Sequence, residues 1–264
     1  MRSEIRQLKN VPPVIETPKR NTALWGGWPT IGLGAAIFAL YFVAQTVVAI
    51  AFVFSQLVTG TEPIDPQYIL RMATNGNLIS IATIVSAIVG IGFIILFIKI
   101  RKGAGIRDYL GLKSIPKKTF LILLAVVIGL IIIISIIEQA LHVPQNTTFT
   151  VDAYETTSWP VLLWIAVLIF APIFEESFFR GFVFVGLRQT RVGAAGTIAL
   201  TSLTWALLHI QYDIYGMATI LVLGITLGII RYKTGSLWST LFLHFMWNTV
   251  AMVGTVLYIN GIIH

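Results

Sequence analysis

From Thr119 to Leu141 the sequence carries a single charged residue, Glu138, and the stretches at 29–58 and 77–98 carry none. Runs of this length read as membrane-crossing helices, because about 20 residues at 1.5 Å each traverse a hydrocarbon core of about 30 Å. Lipid offers no hydrogen-bond partners, so the backbone must satisfy itself within each span, and an α-helix does so. Further apolar stretches occupy 158–188, 194–210, 216–231 and 236–263. The last is either one tilted helix or two short ones broken near Asn248. The expected architecture is therefore all-α, a polytopic transmembrane helical bundle of seven or eight spans. Only 11% of residues are charged, against about 25% in soluble domains. No separate soluble domain is expected. The chain divides into a polar cytoplasmic tail (1–28), three N-terminal spans (29–145) and a C-terminal core (146–264).

The net charge of +7 does not point to nucleic acid, because the basic residues lie in the connections between spans. The tail carries Arg2, Arg6, Lys9, Lys19 and Arg20, and the 99–118 connection carries seven more lysines and arginines. Arg188, Arg191, Arg231 and Lys233 follow the fourth and sixth spans. The alternate connections hold Arg71 alone, which makes sixteen against one. Lysine and arginine are retained on the cytoplasmic side, so the N-terminus is expected inside a multi-pass protein of a cell membrane. The first apolar stretch is too long for a signal-peptide core, and the N-terminus is expected to be retained. The chain has no cysteine, which excludes disulfides, thiolate catalysis and cysteine metal ligands.

Within the fourth span lies Phe174-Glu175-Glu176-Ser177-Phe178-Phe179-Arg180. A charge at mid-membrane costs at least ~2.5–3.5 kcal/mol on insertion scales, so a cluster there marks function by default. Glu176 and Arg180 are four apart and can pair on one helix face, while Glu175 points about 100° away. An arginine occupies its partner, so the two glutamates are given different jobs: Glu175 the base, Glu176 the partner of Arg180. Two histidines also lie in apolar spans. Trp205 and His209 share one helix face, and His244 and Asn248 share another. A carboxylate, two imidazoles and a carboxamide suffice to activate water and stabilise an oxyanion. Each group alone also fits a plainer role as interhelical glue. His142 and His264 read as hydrated surface histidines. No HExxH, GxSxG, GxxxxGK or GxGxxG occurs, and no serine has a base beside it.

Glu175-Glu176-xxx-Arg180, then Trp205-xxx-His209, then His244-xxx-Asn248, in that order on successive spans, resembles the CPBP family. These are the CAAX-protease and bacteriocin-processing intramembrane endopeptidases, also called Abi proteins. The resemblance covers about 158–250, and one departure is visible: the family usually has Phe where this chain has Trp205. It implies that Glu175 and His209 hold and activate the attacking water, His244 and Asn248 stabilise the oxyanion, and Glu176 and Arg180 support the site. The family is often labelled metalloprotease, and Glu175, His209 and His244 would be the ligands of a zinc ion. Its eukaryotic members look glutamate-dependent, and a cofactor-free mechanism is the expectation taken here. The expected partners are the lipid bilayer and a peptide or membrane-protein substrate, reached through a cavity open to the cytoplasmic side or the lipid. In a bacterial host the resemblance implies peptide precursors, membrane proteins or bacteriocin self-immunity. No sequence feature sets an oligomeric state. The alternatives from other classes are a proton-coupled transporter using Glu175, His209 and His244 as a relay, and an inactive peptide-binding scaffold.

Overall fold

The computed structural model describes residues 24–59, 66–143 and 148–262, so residues 1–23 of the tail and His264 lie outside the described residues. Six long apolar helices cross the bundle: α1 (Gly27–Thr59), α3 (Gly76–Ile100), α5 (Lys117–Ala140), α7 (Pro160–Leu187), α9 (Ile214–Thr234) and α10 (Leu237–Ile259). A seventh, α8 (Gly193–Leu207), is apolar but short. The last apolar block is one uninterrupted helix, so among the described residues six helices are long enough to cross a membrane, with α8 as a shorter seventh, and the bundle holds no strand. Three short helices sit in the connections: α2 (Pro66–Met72), α4 (Ile106–Leu110) and α6 (Thr148–Glu155). Hydropathy does not announce these, because each is too short to show a periodic apolar face.

Helix association in lipid gains little from apolar burial, since the solvent is itself apolar; close packing and interhelical hydrogen bonds supply the rest. Aromatic packing sets α7 against α1 and α3. Phe174 stacks on Tyr41 of α1 with centroids 4.1 Å apart, and Phe178 stacks on Phe38 at 5.7 Å. On the α3 side Phe174 lies over Gly90, where an added Cβ would stand 2.3 Å from the ring. Glycine at 90 lets the two helices approach and fixes the residue that precedes Glu175.

α7 is not a uniform α-helix. Ala166–Phe170 and Glu176–Val183 are π-helical, a form found mostly as single turns at functional sites. The first has a reason in the sequence. Ala171 bonds back to the Ala166 carbonyl, five residues away, and in that register the next donor would be residue 172, which is proline and has no N–H. The Val167 carbonyl is thereby left free for another helix. In the second, the Phe184 N–H reaches back to the Phe179 carbonyl.

The basic end of the bundle is tied by an arginine that the charge count treats as a loop residue. Arg231 lies inside α9 and is buried. Its Nε donates to the Arg180 carbonyl of α7 at 2.8 Å, and one terminal nitrogen donates to the Leu110 carbonyl of α4 at 3.0 Å. Gly111, at φ +68°, packs directly on that guanidinium, where a Cβ would lie 2.6 Å from it. The Leu237 N–H donates to the Gly111 carbonyl at 2.9 Å, and the Ser236 hydroxyl to that of Lys113. Tyr109 stacks on Phe182 at 5.8 Å. The 99–118 connection is therefore a packed strap across α7, α9 and α10, in addition to any topogenic role. Burial pushes the Tyr109 phenol up to about 12.

Replacing Arg231 with lysine keeps the charge but loses the planar fork that reaches two carbonyls at once. A buried acceptor left unpaired costs about 1–3 kcal/mol. The apparent melting temperature of Arg231→Lys in detergent should fall by several degrees, whereas Lys102→Met, in the exposed part of the strap, should leave it unchanged.

Candidate active site

The polar side chains singled out from sequence converge from α7, α8 and α10, and the tail of α8 supplies His209. Glu176 and Arg180 form an ion pair of 2.9 Å with both side chains wholly buried. The guanidinium also donates to the Gly224 carbonyl of α9 at 3.1 Å and lies over the Trp205 ring, 4.6 Å from its centre. Removing one member of such a buried pair costs about 3–5 kcal/mol, because the survivor is left charged and unpaired.

Glu176 has a second partner. His244 Nδ1 lies 3.0 Å from the same Oε1 that Arg180 contacts. A carboxylate held by arginine can only accept, so Nδ1 carries the proton and Nε2 is the ring nitrogen left over. That Nε2 faces Glu175, 3.9 Å from Oε2, beyond hydrogen-bond range. The imidazole thus stands between the two glutamates, bonded to one and turned toward the other.

Glu175 is 18% exposed at its side chain, whereas Glu176 is fully buried. Trp205 Nε1 donates to Glu175 Oε2 at 2.7 Å, which orients the carboxylate and leaves Oε1 as the oxygen free for a reacting water. The backbone carbonyl of the same tryptophan is 2.7 Å from His209 Nδ1. A carbonyl only accepts, so His209 also carries its proton on Nδ1 and keeps Nε2 open. Trp205 therefore positions both Glu175 and His209, one with its ring and one with its backbone. Tyr212 stacks on the His209 ring at 6.2 Å and meets Phe149 of α6 edge-on. Burial pushes the Tyr212 phenol up to about 12, with the Glu175 charge adding to the effect. Sequence reading passes over Tyr212 because it follows the end of α8 in an irregular connection with no helical spacing to place it.

Asn248 donates from Nδ2 to the Val167 carbonyl at 2.9 Å, the acceptor that the π turn and Pro172 leave free. One amide hydrogen is thus committed to holding α10 against α7, and the other is left for chemistry.

Glu175, Trp205, His209, His244 and Asn248 all line one cavity of about 920 Å³. Among the described residues, no three histidine or acidic side chains come together as metal ligands. Glu175 Oε2 is occupied by the Trp205 N–H and each imidazole has its Nδ1 committed, which leaves Glu175 Oε1 and the two Nε2 atoms open toward the cavity.

Residues 157–250, from the start of α7 to the middle of α10, match the family model described as type II CAAX prenyl endopeptidase Rce1-like. This segment is similar to the Rce1-like family. The match spans a little over a third of the chain and contains Glu175, Glu176, Arg180, Trp205, His209, His244 and Asn248. It agrees with the CPBP resemblance carried by the three motifs, and the family is one of CAAX-type intramembrane endopeptidases. The chain matches no curated protein and no solved structure.

Trp205→Phe keeps the ring under Arg180 and the backbone carbonyl under His209 but deletes the N–H to Glu175. A hydrogen bond to a charged group contributes about 1.5–3 kcal/mol, or about 10- to 100-fold in rate. Steady-state kinetics on a cleaved peptide should show kcat reduced by that factor with KM little changed. Unaltered kcat would remove the indole N–H from any positioning role.

Proposed function

We propose that this protein hydrolyses a peptide bond inside the membrane with a water molecule activated by Glu175 and His209. The single observation that carries this reading is the pairing pattern of the two adjacent glutamates. Glu176 is consumed by Arg180 and His244, while Glu175 keeps one oxygen uncommitted at the cavity wall.

The groups divide the work as follows. Water sits between Glu175 Oε1 and His209 Nε2, both of which can accept its hydrogens. Glu175 takes a proton as the water oxygen forms its bond to the scissile carbonyl carbon. The oxyanion that develops is met by His244, which donates from Nε2 when it carries its second proton, and by the free amide hydrogen of Asn248. Glu176, itself held by Arg180, keeps the His244 ring in the orientation that aims Nε2 at the reaction. As the carbon–nitrogen bond breaks, Glu175 returns its proton to the leaving amine. No metal enters this scheme. In a bacterial membrane, peptide precursors and membrane proteins are the substrates of choice, and the same cleavage could serve bacteriocin self-immunity.

Glu175→Gln, His209→Ala and His244→Ala should each lower cleavage of a reporter peptide in proteoliposomes by about 10²-fold or more, with expression intact. Dialysis against a strong chelator should leave wild-type turnover intact. Normal turnover by any of the three variants would remove that residue from the mechanism. Loss of activity on chelation, restored by zinc, would replace the proposed water activation with a metal-bound one.

A further inference from the structure

The ends of the helices that line the cavity are not a random selection. α1 contributes Phe38 to Ala49, around the middle of its length, and α3 contributes Leu78 to Thr83, at its start. α5 supplies Glu138, three residues before its last turn closes at Leu141, and α6 supplies Phe149 and Thr150. α8 gives Trp205 and Leu207 at its end, α9 gives Gly216 to Leu223 at its start, and α10 gives residues from His244 outward to Tyr258. Apart from those of α1, these residues lie toward the connections at 66–75, 148–159 and 208–213. No residue of the basic connections at 99–118, 188–192 or 231–236 touches the cavity.

The helix lengths explain the asymmetry. α8 has 15 residues, about 22 Å at 1.5 Å per residue, against a hydrocarbon core of about 30 Å. Starting at the basic side, it stops short of the far surface, and the hairpin tip carrying His209 and Tyr212 stays sunk in the slab. Glu175 and Trp205 are each twelve residues from the basic end of their helices, so they meet at one level. The strap at 106–113, pinned by Arg231 and Ser236, closes the opposite end.

We infer that the cavity admits its substrate from the face opposite the basic loops, which by charge placement is the outer, extracytoplasmic face. This opening differs from the cytoplasmic or lipid-facing one expected from the sequence. Resting on the peptidase reading above, this assigns as substrate class an exported peptide, or the outer end of a membrane segment, with an apolar stretch at its cleavage site. Glu175 lies twelve residues from the basic end of α7, about 18 Å, which in a core of about 30 Å leaves about 12 Å on the outer side. An extended chain rising about 3.3 Å per residue covers that in about four residues, so the scissile bond falls about four residues beyond the polar boundary of the substrate.

The absence of native cysteine makes the test direct. Single cysteines are placed at Gln211 on the hairpin tip, at Ala171 one turn above Glu175 on the cavity wall, and at Lys102 in the strap. A membrane-impermeant maleimide should label Gln211→Cys and Ala171→Cys in intact cells and Lys102→Cys only in inverted vesicles. Peptide should be cleaved when supplied to the Gln211 side alone, and a bulky adduct at position 211 should slow cleavage at least tenfold. Labelling of Ala171→Cys only from the Lys102 side, from neither side, or cleavage of peptide supplied at the Lys102 side, overturns the assignment. Labelling of Lys102→Cys in intact cells would overturn the outward orientation. A protein that cleaves nothing while Ala171→Cys is labelled from the Gln211 side upholds the opening and sinks the peptidase reading.

Discussion

The buried ion pair between Glu176 and Arg180 is the interaction on which the rest of this bundle depends. Both groups are removed from solvent, and neither could be left there alone. Arg180 extends the pair to the Gly224 carbonyl and the Trp205 face, and Glu176 extends it to His244. One pair thereby registers α7 against α8, α9 and α10 at a single depth. Arg231 returns the connection one turn lower, donating to the carbonyl of Arg180 itself. In lipid, where apolar contact distinguishes poorly between one helix pairing and another, such directional links select the arrangement.

The same pair makes chemistry available by subtraction. With Glu176 occupied, the neighbouring carboxylate is the one that keeps a free oxygen at the cavity. With His244 fixed through Nδ1 and His209 fixed through its own Nδ1, each ring offers one nitrogen of known position. A site of this kind relies on preorganisation: the groups are held before substrate arrives, so little reorganisation accompanies the reaction. The membrane contributes by excluding bulk water, and the cavity contributes by letting a limited amount in.

Much of this was legible in the sequence, and the parts that were not have identifiable causes. Apolar runs locate the spans because lipid imposes a length on any crossing helix, and the structure resolves the undecided last block as one helix, Leu237–Ile259. The pairing of Glu176 with Arg180 follows from i, i+4 spacing alone. The contact between Trp205 and Glu175 does not, since it joins positions thirty residues apart and depends on the relative depth of two helices. The π turns of α7 were hidden because only Pro172 hints at them, and proline also fits a simple kink. Asn248 reads from sequence either as a group for chemistry or as interhelical glue, and half of its amide serves packing, through a carbonyl exposed by that turn. Arg231 was read as a loop charge because a sequence does not say how far a helix continues past the last apolar residue.

The central claim is that Glu175, His209, His244 and Asn248 surround one reacting carbonyl. It is tested most directly by the structure of the Glu175→Gln variant with an uncleaved peptide in the cavity. The account predicts the scissile carbonyl carbon about 3–3.5 Å from a water held between position 175 and His209 Nε2, with its oxygen turned toward His244 and Asn248. A peptide whose backbone carbonyls all lie away from these four side chains would contradict it.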